Sequence, residues 1–372
     1  MISAKNTPKN LLRYKDLELN LIIFGAKFAQ LYGTLGMKVT LKDISDATGF
    51  SVSTISRAVR GEGRISDENR RKILASAHKL GYPLPTNGRS VPENQPPYIA
   101  LITRFRVGEF YSSFLVGFMN ASKKKGINLS LFSLENDKTS VETLIDNLRS
   151  LGYTAAVIFI PELKEDEYRH ILHSTPGDFP IISCSNIDNS VLDTVTFDAY
   201  QGATLVAKHF HEQGYRKLGI IEGPMEMPES RFRTNGFNDY VTHVSDEDII
   251  WSYRGNYNHD SGVAAFEDFM KQDDKPEAVF ATNDAMAVGF MEAARKAGYE
   301  FPKDIALAGY DNLPICENHY PKITSVNTDY TRLALNTIEN LLARVDNKSS
   351  HQGIVSMVPV TLEIRESSLR NQ

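Results

Sequence analysis

The sequence predicts a small all-α head followed by a larger α/β body that is divided into two parallel-sheet lobes. Residues 39–80 carry apolar side chains at helical spacing in three short segments. From residue 98 onward, apolar runs of strand length alternate with amphipathic runs of helical length, which is typical of parallel sheets with helices on both faces. About ten such strand–helix units are too many for one sheet, so the body is expected to form two Rossmann-like subdomains.

Composition places the chain among globular proteins and excludes several classes of function. Its 372 residues are 41% hydrophobic and 23% charged, which leaves room for more than one domain. Cys184 and Cys316 lie far apart and form no ligand pattern, which favours a reduced cytoplasmic protein. No stretch approaches the ~20 apolar residues that span a bilayer, so no membrane partner is expected. The absence of Walker, GxSxG and GxGxxG patterns predicts no enzyme and no cofactor. No metal site is expected, because His209 and His211 stand two apart in a predicted helix and a solvated helix face is favoured over zinc binding for Glu167, His170 and His173.

The head begins with VTLKDISDATGFSVSTISRAVR, residues 39–60, which predicts two short helices joined by a tight turn. Thr40 is placed to cap the first helix, with Asp43 in the acidic position of a capping box. Gly49 stands where that helix must end, because glycine accepts the left-handed backbone without steric cost. Ser51 can cap the second helix. Two helices with a tight turn are the module that places a helix in the major groove of DNA.

A third helix, capped by Ser66 and running from Asp67 to Leu80, is expected to complete a three-helix core. The side chains predicted to face inward are Leu41, Ile44, Ala47, Val52, Ile55, Val59, Ile73, Leu74, Ala77 and Leu80. The second helix would present outward Ser53, Thr54, Ser56, Arg57 and Arg60. Hydroxyls can bind phosphates and arginine can bind guanine bidentately, so this face suits DNA. An ordinary helical hairpin with a solvated polar face is the alternative.

Charge favours the DNA interpretation. Residues 37–91 hold ten Lys+Arg against five Asp+Glu, a net charge of +5, and residues 1–36 carry +3. Because the whole chain carries −5, the remainder carries −13. A basic head on an acidic body is typical of a protein whose body is held away from the phosphates.

The run VTLKDISDATGFSVSTISRAVRGEGRISDENRRKILASAHKLGY closely resembles the DNA-binding head of the LacI/GalR repressors, and the resemblance continues into the body. It implies that Val52, Ser53 and Arg57 reach base edges. It also implies that Ser51, Thr54 and Ser56 mostly hold phosphates. The expected DNA contacts further include Thr40 and Arg60.

The segments that flank the head are irregular. Residues 1–36 lack the pattern of a signal peptide, and we expect Met37 to be the natural start, with a genuine extra helix as the alternative. The head would cover 37–82, and the five prolines of 83–97 mark a linker. The resemblance implies a hinge helix there that forms on operator DNA and enters the minor groove.

The family's hinge pattern of alanine, arginine, any residue and leucine falls here on Gly88, Arg89, Ser90 and Val91, which is a departure. Glycine costs about 1 kcal/mol of helix propensity relative to alanine. Valine is also a shorter wedge than leucine. Arg89 and Val91 remain expected DNA contacts, and a plain flexible tether is the alternative.

For the body, residues 98–366, the resemblance implies a periplasmic-binding-protein-like fold of two lobes with three crossing segments. The crossings are expected near Phe197–Ala199, Val326–Asp329 and Val355–Val358. The N-lobe would then hold 98–197 and 327–356, and the C-lobe 198–326 and 357–366.

Polar residues follow several predicted strands, where open parallel sheets bind ligands. They are Asp198, Arg231, Arg233, Asn283, Asp284, Asp311 and Asn312. Carboxylates, amides and an arginine fork are the groups that take paired sugar hydroxyls. A helix cap or a turn is the alternative for each lone Asp or Asn.

The resemblance assigns more specific roles within this set. The motifs SRFRTNGF, ATNDAMAVG and LAGYDN imply that Arg233, Asn283 and Asp311 contact the effector. In RGNYNHDSG, Tyr257 takes the place of a stacking aromatic. The remaining pocket positions that the resemblance implies are Arg104, Phe110, Tyr111, Phe197 and Asp198. Phe110 and Tyr111 could instead be core residues.

The predicted protein is a homodimeric, sequence-specific DNA-binding regulator, most often a repressor in this family, controlled by a small carbohydrate-type effector. Should Arg104, Arg231 and Arg233 all line the cleft, a sugar acid or sugar phosphate would suit it better. A regulator of the same fold that answers to a nucleobase or a partner protein is the alternative, and a pocket more aromatic than carboxylate would favour a purine. A solute-binding protein is the third class. The absence of a heptad tail favours dimers over tetramers.

Overall fold

The computed structural model describes residues 39–60, 65–80, 82, 96–134, 140–185, 188–245, 247–347 and 353–370. They belong to two compact units, of which the first holds the helical head and the second holds the body. The expected extension, the start at Met37, and the hinge residues Arg89 and Val91 lie outside the described residues. No helix within the described ranges is long and apolar enough to cross a bilayer.

The head contains α1 (Leu41–Thr48), α2 (Val52–Arg60) and α3 (Asp67–Leu80). The predicted caps are confirmed. The Asp43 carboxylate accepts from the Thr40 N–H at 2.7 Å, and the backbone N–H groups of Thr54 and Asn69 donate to the hydroxyls of Ser51 and Ser66 at 3.2 and 3.4 Å. Gly49 ends α1 with a left-handed φ of 74°. Local capping chemistry therefore sets these helix boundaries.

The head core is smaller than the periodicity predicts. The fully buried side chains are Ile44, Ile55, Ala58, Ile73 and Ala77. Three predicted core positions are wrong, because Ala47 is exposed, Leu80 is 37% exposed and Val52 is 44% exposed. Val52 and Leu80 are terminal residues of their helices, where no neighbouring helix covers them, and Ala58 occupies the inner face of α2 instead.

The body alternates strands and helices. Its strands are β1 (Tyr98–Thr103), β2 (Asn128–Ser133), β3 (Ala155–Phe159), β4 (Ile181–Ser183), β5 (Asp193–Phe197), β6 (Lys217–Glu222), β7 (Asp248–Arg254), β8 (Ala278–Ala281), β9 (Ala306–Asp311), β10 (Thr324–Asn327), β11 (Val355–Val358) and β12 (Thr361–Glu363). Its helices are α4 (Glu109–Lys125), α5 (Val141–Ser150), α6 (Glu165–Ser174), α7 (Ala199–Glu212), α8 (Pro228–His243), α9 (His259–Phe269), α10 (Asp284–Lys296), α11 (Pro314–Asn318) and α12 (Tyr330–Asn347).

The strands form two six-stranded sheets, which confirms the two predicted lobes. The N-lobe sheet has the order β11-β5-β4-β3-β1-β2, and the C-lobe sheet has the order β12-β10-β9-β8-β6-β7. Adjacent strands are parallel except for the antiparallel pair of β10 and β12. In each sheet the strand order reverses beside the first strand, at β1 and at β6. Such a reversal opens a crevice at the carboxyl ends of the strands, where ligands bind in this class of sheet.

The chain crosses between the lobes three times. The crossings lie after Phe197, after Asn327 and after Val358. The third crossing comes two residues later than the predicted boundary at 356, because Met357 and Val358 still pair with β5. The C-lobe also continues past residue 366, since the side chains of Ser367 and Ser368 are fully buried.

Candidate functional site

Arg233 is the centre of a buried polar site in the C-lobe. It lies on α8 and is only 5% exposed. Its Nη1 donates to the Thr282 carbonyl at 2.6 Å, and its Nη2 donates to Glu229 Oε1 at 2.7 Å. The same Nη2 lies 3.1 Å from Asp311 Oδ1. The guanidinium is therefore held by the ends of β8 and β9 and by its own helix.

Two tyrosine rings flank this guanidinium. Its central carbon lies 3.8 Å from the centroid of the Tyr310 ring and 5.7 Å from that of Tyr257. Glycines make room for both rings. A Cβ at Gly202 would lie 2.5 Å from the Tyr310 hydroxyl, and one at Gly223 would lie 2.3 Å from Cζ of Tyr257. Cation–π contact with desolvated rings is favourable by about 2 kcal/mol or more.

Backbone strain is concentrated at the same place. Within the described residues, the non-glycine positions with positive φ are Tyr257 at 67°, Asp311 at 111° and Asn312 at 49°. Each such conformation costs on the order of 1–3 kcal/mol and persists only where surrounding contacts impose it. Their coincidence with Arg233 points to a functional site.

Asp284 holds the strained loop after β9. It is fully buried, and its two carboxylate oxygens accept from the Ser325 hydroxyl at 2.6 Å and from the Leu313 N–H at 2.8 Å. Burial raises the pKa of Asp284 to about 6. Asp284 therefore holds the backbone that follows Asp311.

Two predicted ligand contacts also have a structural role that matches the helix-cap alternative. The Asn283 side chain accepts from the Met286 N–H at 3.0 Å, so it caps α10, and it donates to the Tyr257 carbonyl at 2.9 Å. The Asp198 carboxylate accepts from the Gln201 N–H at 3.0 Å and caps α7.

The predicted aromatic residues of the N-lobe form one cluster. The Phe110 ring centroid lies 5.3 Å from that of Tyr111 and 5.8 Å from that of Tyr330. Phe197 contacts the same Tyr330 at 5.6 Å. Tyr330 begins α12 just after the second crossing, and burial together with the nearby Asp311 charge raises the pKa of its hydroxyl. The structure thus brings the predicted N-lobe aromatic residues together around Tyr330.

Several buried polar atoms of the site lack a well-formed hydrogen bond to any described residue. They are Nε of Arg233 and the hydroxyls of Tyr257, Tyr310 and Tyr330, whereas Oδ1 of Asp311 has the ion pair with Nη2 of Arg233. Native proteins leave few buried polar groups unsatisfied, because each costs about 1–3 kcal/mol. Such a concentration of unsatisfied polar atoms at one arginine is what a polar ligand would satisfy.

Burial also sets the protonation of the site. It raises the pKa of Asp311 to about 8, against the opposing charge of Arg233, and it raises the pKa of Tyr257 to about 12. Burial therefore favours the protonated form of the Asp311 carboxyl, and the adjacent Arg233 charge favours the carboxylate.

The three cleft arginines do not make a strongly cationic site. Arg231 pairs with Asp188 of the N-lobe, and Arg233 is neutralised by Glu229 and Asp311. Arg104 is half-buried after β1 and has no ion-pair partner in the described part of the chain. The acidic partners of Arg231 and Arg233 give no support to a sugar acid or sugar phosphate, which stays a prediction.

Sequence reasoning missed three residues of this site, namely Glu229, Tyr310 and Tyr330. Glu229 stands four residues before Arg233, a spacing that brings the two side chains together once the segment is helical. The sequence does not indicate a role in the site for either tyrosine, since Tyr310 lies within a strand and Tyr330 begins a helix.

In the head, the outward face of α2 carries Val52, Ser53 and Arg57, all exposed. The Ser51 hydroxyl lies 3.0 Å from that of Ser53 and 2.8 Å from that of Thr54. Arg57 Nε donates to the Ser53 carbonyl at 3.2 Å, so the guanidinium is directed along the exposed face.

The remaining predicted DNA contacts of the head are either less exposed to solvent or already hydrogen-bonded. Thr54 and Ser56 are half-buried, and the exposed Thr40 hydroxyl donates to Asp43 at 2.8 Å. The side chain of Arg60 lies outside the described residues.

Protein-family models match both the head and the body of the chain. Residues 40–83 match the bacterial regulatory proteins of the lacI family, and residues 207–368 match the periplasmic binding protein-like domain. A helix-turn-helix head joined to such a body defines a ligand-responsive DNA-binding regulator. The chain belongs to the LacI/GalR family of transcriptional regulators.

Curated relatives cover most of the chain. The transcriptional repressor PurR of Photobacterium profundum is 25% identical over 330 residues, which is 88% of this chain and 98% of the relative. PurR of Klebsiella pneumoniae strain 342 is 25% identical over 334 residues, 88% of this chain and 96% of the relative.

Solved structures confirm the predicted fold. The lac repressor dimer bound to operator and the anti-inducer ONPF is 21% identical, with a TM-score of 0.67, and covers 90% of this chain and 100% of its own. The CelR–cellobiose complex is 22% identical, with a TM-score of 0.64, and covers 89% of this chain and 100% of its own.

Proposed function

We propose that the protein is a homodimeric repressor whose affinity for operator DNA is set by a small effector bound between the two lobes. The observation that carries the proposal is the buried cluster of Arg233, Asp311 and Tyr310, in which Nε of Arg233 and the Tyr310 hydroxyl have no hydrogen-bond partner among the described residues. The relatives are named as repressors, and one structural neighbour is a dimer on its operator. Coupling between effector and operator is expected at about 1–3 kcal/mol.

The DNA-binding part rests on the exposed face of α2. Val52, Ser53 and Arg57 are free of the head core, which is the arrangement that base readout requires. We expect the full chain to select one near-palindromic sequence from a random DNA library. Arg57→Ala should abolish that binding without lowering the melting temperature.

Arg332→Ala is the matched control, because Arg332 is exposed on α12 in the body. It should leave affinity for the selected DNA unchanged. Wild-type affinity in Arg57→Ala would reject the role of Arg57. A molar mass of one chain, measured by light scattering on the selected complex, would reject the dimer.

For the effector, a carbohydrate-type ligand and a nucleobase remain the two candidates. The acids of the site, Asp311 and Glu229, are both paired with Arg233. Tyr257, Tyr330 and Phe110 supply aromatic surface. This excess of aromatic over carboxylate surface favours the nucleobase candidate. Among similar proteins, the CelR–cellobiose complex is an example of the carbohydrate class.

Thermal-shift measurements with sugars and nucleobases test the site itself. A bound effector should raise the melting temperature of the wild-type protein, since it binds only the folded state. Arg233→Met should abolish the shift, whereas the control Arg254→Met, at a 68% exposed side chain, should retain it. A full shift in Arg233→Met would reject this location of the effector.

A further inference from the structure

The loop after β9 holds Asp311 in a backbone conformation that an aspartate rarely adopts by itself. Asp311 has a φ of 111° and Asn312 has a φ of 49°, so both lie in the left-handed region. Such conformations persist only where surrounding contacts impose them. The contacts around the peptide group that joins Asp311 to Asn312 therefore decide where the Asp311 carboxyl is directed.

This peptide group is held at both of its polar atoms. The Asp311 carbonyl accepts from the hydroxyl of Thr328 at 2.8 Å, and Thr328 is only 5% exposed. The Asn312 N–H donates to the Ser325 hydroxyl at 3.0 Å. With the peptide plane fixed in this way, Oδ1 of Asp311 lies 3.1 Å from Nη2 of Arg233.

The Asn312 side chain joins the same loop to two further elements. Its Nδ2 donates to Oδ1 of Asn327 at 3.0 Å, and its Oδ1 accepts from Nη2 of Arg365 at 2.8 Å. Asn327 ends β10, the strand that pairs with β9, whereas Arg365 follows β12 near the end of the chain. Asn312 is therefore a junction between the ligand site, β10 and the C-terminal segment.

Arg365 spans two elements with the two ends of its guanidinium. Nη1 donates to the Ile323 carbonyl at 2.8 Å, while Nη2 donates to Asn312. The side chain is 11% exposed, and its ion-pair partner Glu317, at 3.4 Å, is 69% exposed, so that pair contributes little. The planar fork thus fixes Asn312 relative to Ile323, which a single ammonium group would not do.

The backbone of Arg365 is itself held by the C-terminal segment, residues 365–368. The Arg365 N–H donates to the Thr324 hydroxyl at 2.8 Å. The fully buried Ser367 donates its hydroxyl to the Leu307 carbonyl at 2.6 Å and accepts from the Thr324 N–H at 2.9 Å. These bonds tie the segment to β9 and β10, so Arg365 is a fixed reference point for the loop.

We infer that Arg365 is a positioning residue for the ligand site, because through Asn312 it holds the loop that directs the Asp311 carboxyl toward Arg233. The inference rests on the proposed function and deepens it, since it extends the effector site to the C-terminal segment. Without Arg365, the Asp311 carboxyl can turn away from Arg233, and the ion pair weakens.

A double-mutant cycle tests the inference without any ligand. Urea unfolding of the full chain, followed by the fluorescence of Trp251, gives the factor by which Asp311→Asn raises the unfolding equilibrium constant. Measurement at pH 9 keeps the carboxylate that pairs with Arg233, because burial raises the pKa of Asp311 to about 8.

In the Arg365→Met background we expect this factor to be at least about tenfold smaller than in the wild type, because the carboxylate no longer lies against Arg233. An arginine that only stabilises the C-terminal segment would lower stability without changing the factor. Equal factors in the two backgrounds would therefore overturn the inference.

Arg370→Met is the matched control, because Arg370 lies at the same end of the chain but contacts other residues. It donates to the Gly214 carbonyl at 2.7 Å and lies 4.6 Å from the centroid of the Tyr215 ring. The factor for Asp311→Asn should be the same in Arg370→Met as in the wild type. An equal reduction in both arginine variants would indicate general loosening of the C-terminus and would overturn the inference.

Arg365→Lys keeps the test decisive if Arg365→Met does not fold. Lysine retains the positive charge and the unbranched stem, but it cannot bond to Ile323 and Asn312 with the geometry of the fork. The factor for Asp311→Asn should be at least about threefold smaller than in the wild type. An unchanged factor in Arg365→Lys would reject the positioning role.

Failure of the inference is distinguishable from failure of the proposed function, because the cycle measures the ion pair and the thermal shift measures the effector. Equal factors in the cycle, combined with loss of the thermal shift in Arg233→Met, would reject the role of Arg365 and retain the effector site. A reduced factor in Arg365→Met, combined with a full thermal shift in Arg233→Met, would uphold the positioning role and reject the location of the effector.

Discussion

Arg233→Met should destabilise the C-lobe by about 3 kcal/mol at neutral pH. Methionine keeps the unbranched stem beside Tyr310 but removes the charge that Asp311, Glu229 and the Thr282 carbonyl share. Removing one partner of a buried ion pair costs about 3–5 kcal/mol, because the other charge stays buried. We expect the lower end of that range, since burial raises the pKa of Asp311 to about 8 and a proton can replace the arginine.

The same argument predicts a pH dependence. Burial raises the pKa of Asp311 to about 8, and Arg233 opposes that rise, so the variant raises it further. The folded state then binds a proton that the unfolded state, with a pKa of about 3.9, has released. The free energy of unfolding therefore falls as pH increases above about 4, by at most about 1.4 kcal/mol per pH unit. In the wild type this fall should level off above pH 8, whereas in the variant it should continue.

Urea unfolding followed by tryptophan fluorescence measures both effects. Trp251 is the single tryptophan of the chain, is 5% exposed in the C-lobe and donates to Asp268 at 3.0 Å. The double variant Arg233→Met/Asp311→Asn should recover part of the stability and lose the added pH dependence. A variant Arg233→Met within about 0.5 kcal/mol of wild type, with an unchanged pH profile, would refute the reasoning.

Three further predictions concern the head and the packing of the site. Ile55→Ala should cost about 2–5 kcal/mol because Ile55 is fully buried, so that the head unfolds and DNA binding is lost while the tryptophan-monitored transition of the body stays unchanged. Gly202→Ala should lower the free energy of unfolding, measured by calorimetry, by about 1–3 kcal/mol, because the added Cβ meets the Tyr310 hydroxyl. An equal loss of stability in the control Gly177→Ala, where the space is open, would contradict this. Val52→Thr should leave the melting temperature unchanged, since Val52 is 44% exposed, but should alter the DNA sequence selected from a random library; an unaltered sequence would remove Val52 from base readout.

Local chemistry made much of the fold predictable. The three head helices begin after Thr40, Ser51 and Ser66 as expected, because each cap needs only backbone N–H groups two or three residues away. The alternation of buried strands with amphipathic helices likewise predicted two parallel sheets. Burial at helix ends was less predictable, as Val52 and Leu80 show, since periodicity does not indicate how far a neighbouring helix extends.

The candidate site was predictable only in part. Motifs placed Arg233 and Asp311, and the structure brings them within 3.1 Å of each other. The same motifs implied that Asn283 contacts the effector. They did not indicate that its side-chain oxygen is already used to cap a helix. Tyr330 joins the site through the second crossing, and nothing near it in the sequence indicates this.

The sequence by itself determined the class of this protein, because capping residues, hydrophobic periodicity and charge distribution are properties of short segments. Tertiary structure alone decided the character of the ligand site. It placed Tyr310 and Tyr257 against the guanidinium through the space left by Gly202 and Gly223, and it neutralised that charge with Glu229. Burial raised the pKa of a carboxyl that would otherwise be fully ionised. The physical reason is that desolvation and close packing depend on residues far apart in the chain, whereas a helix cap does not.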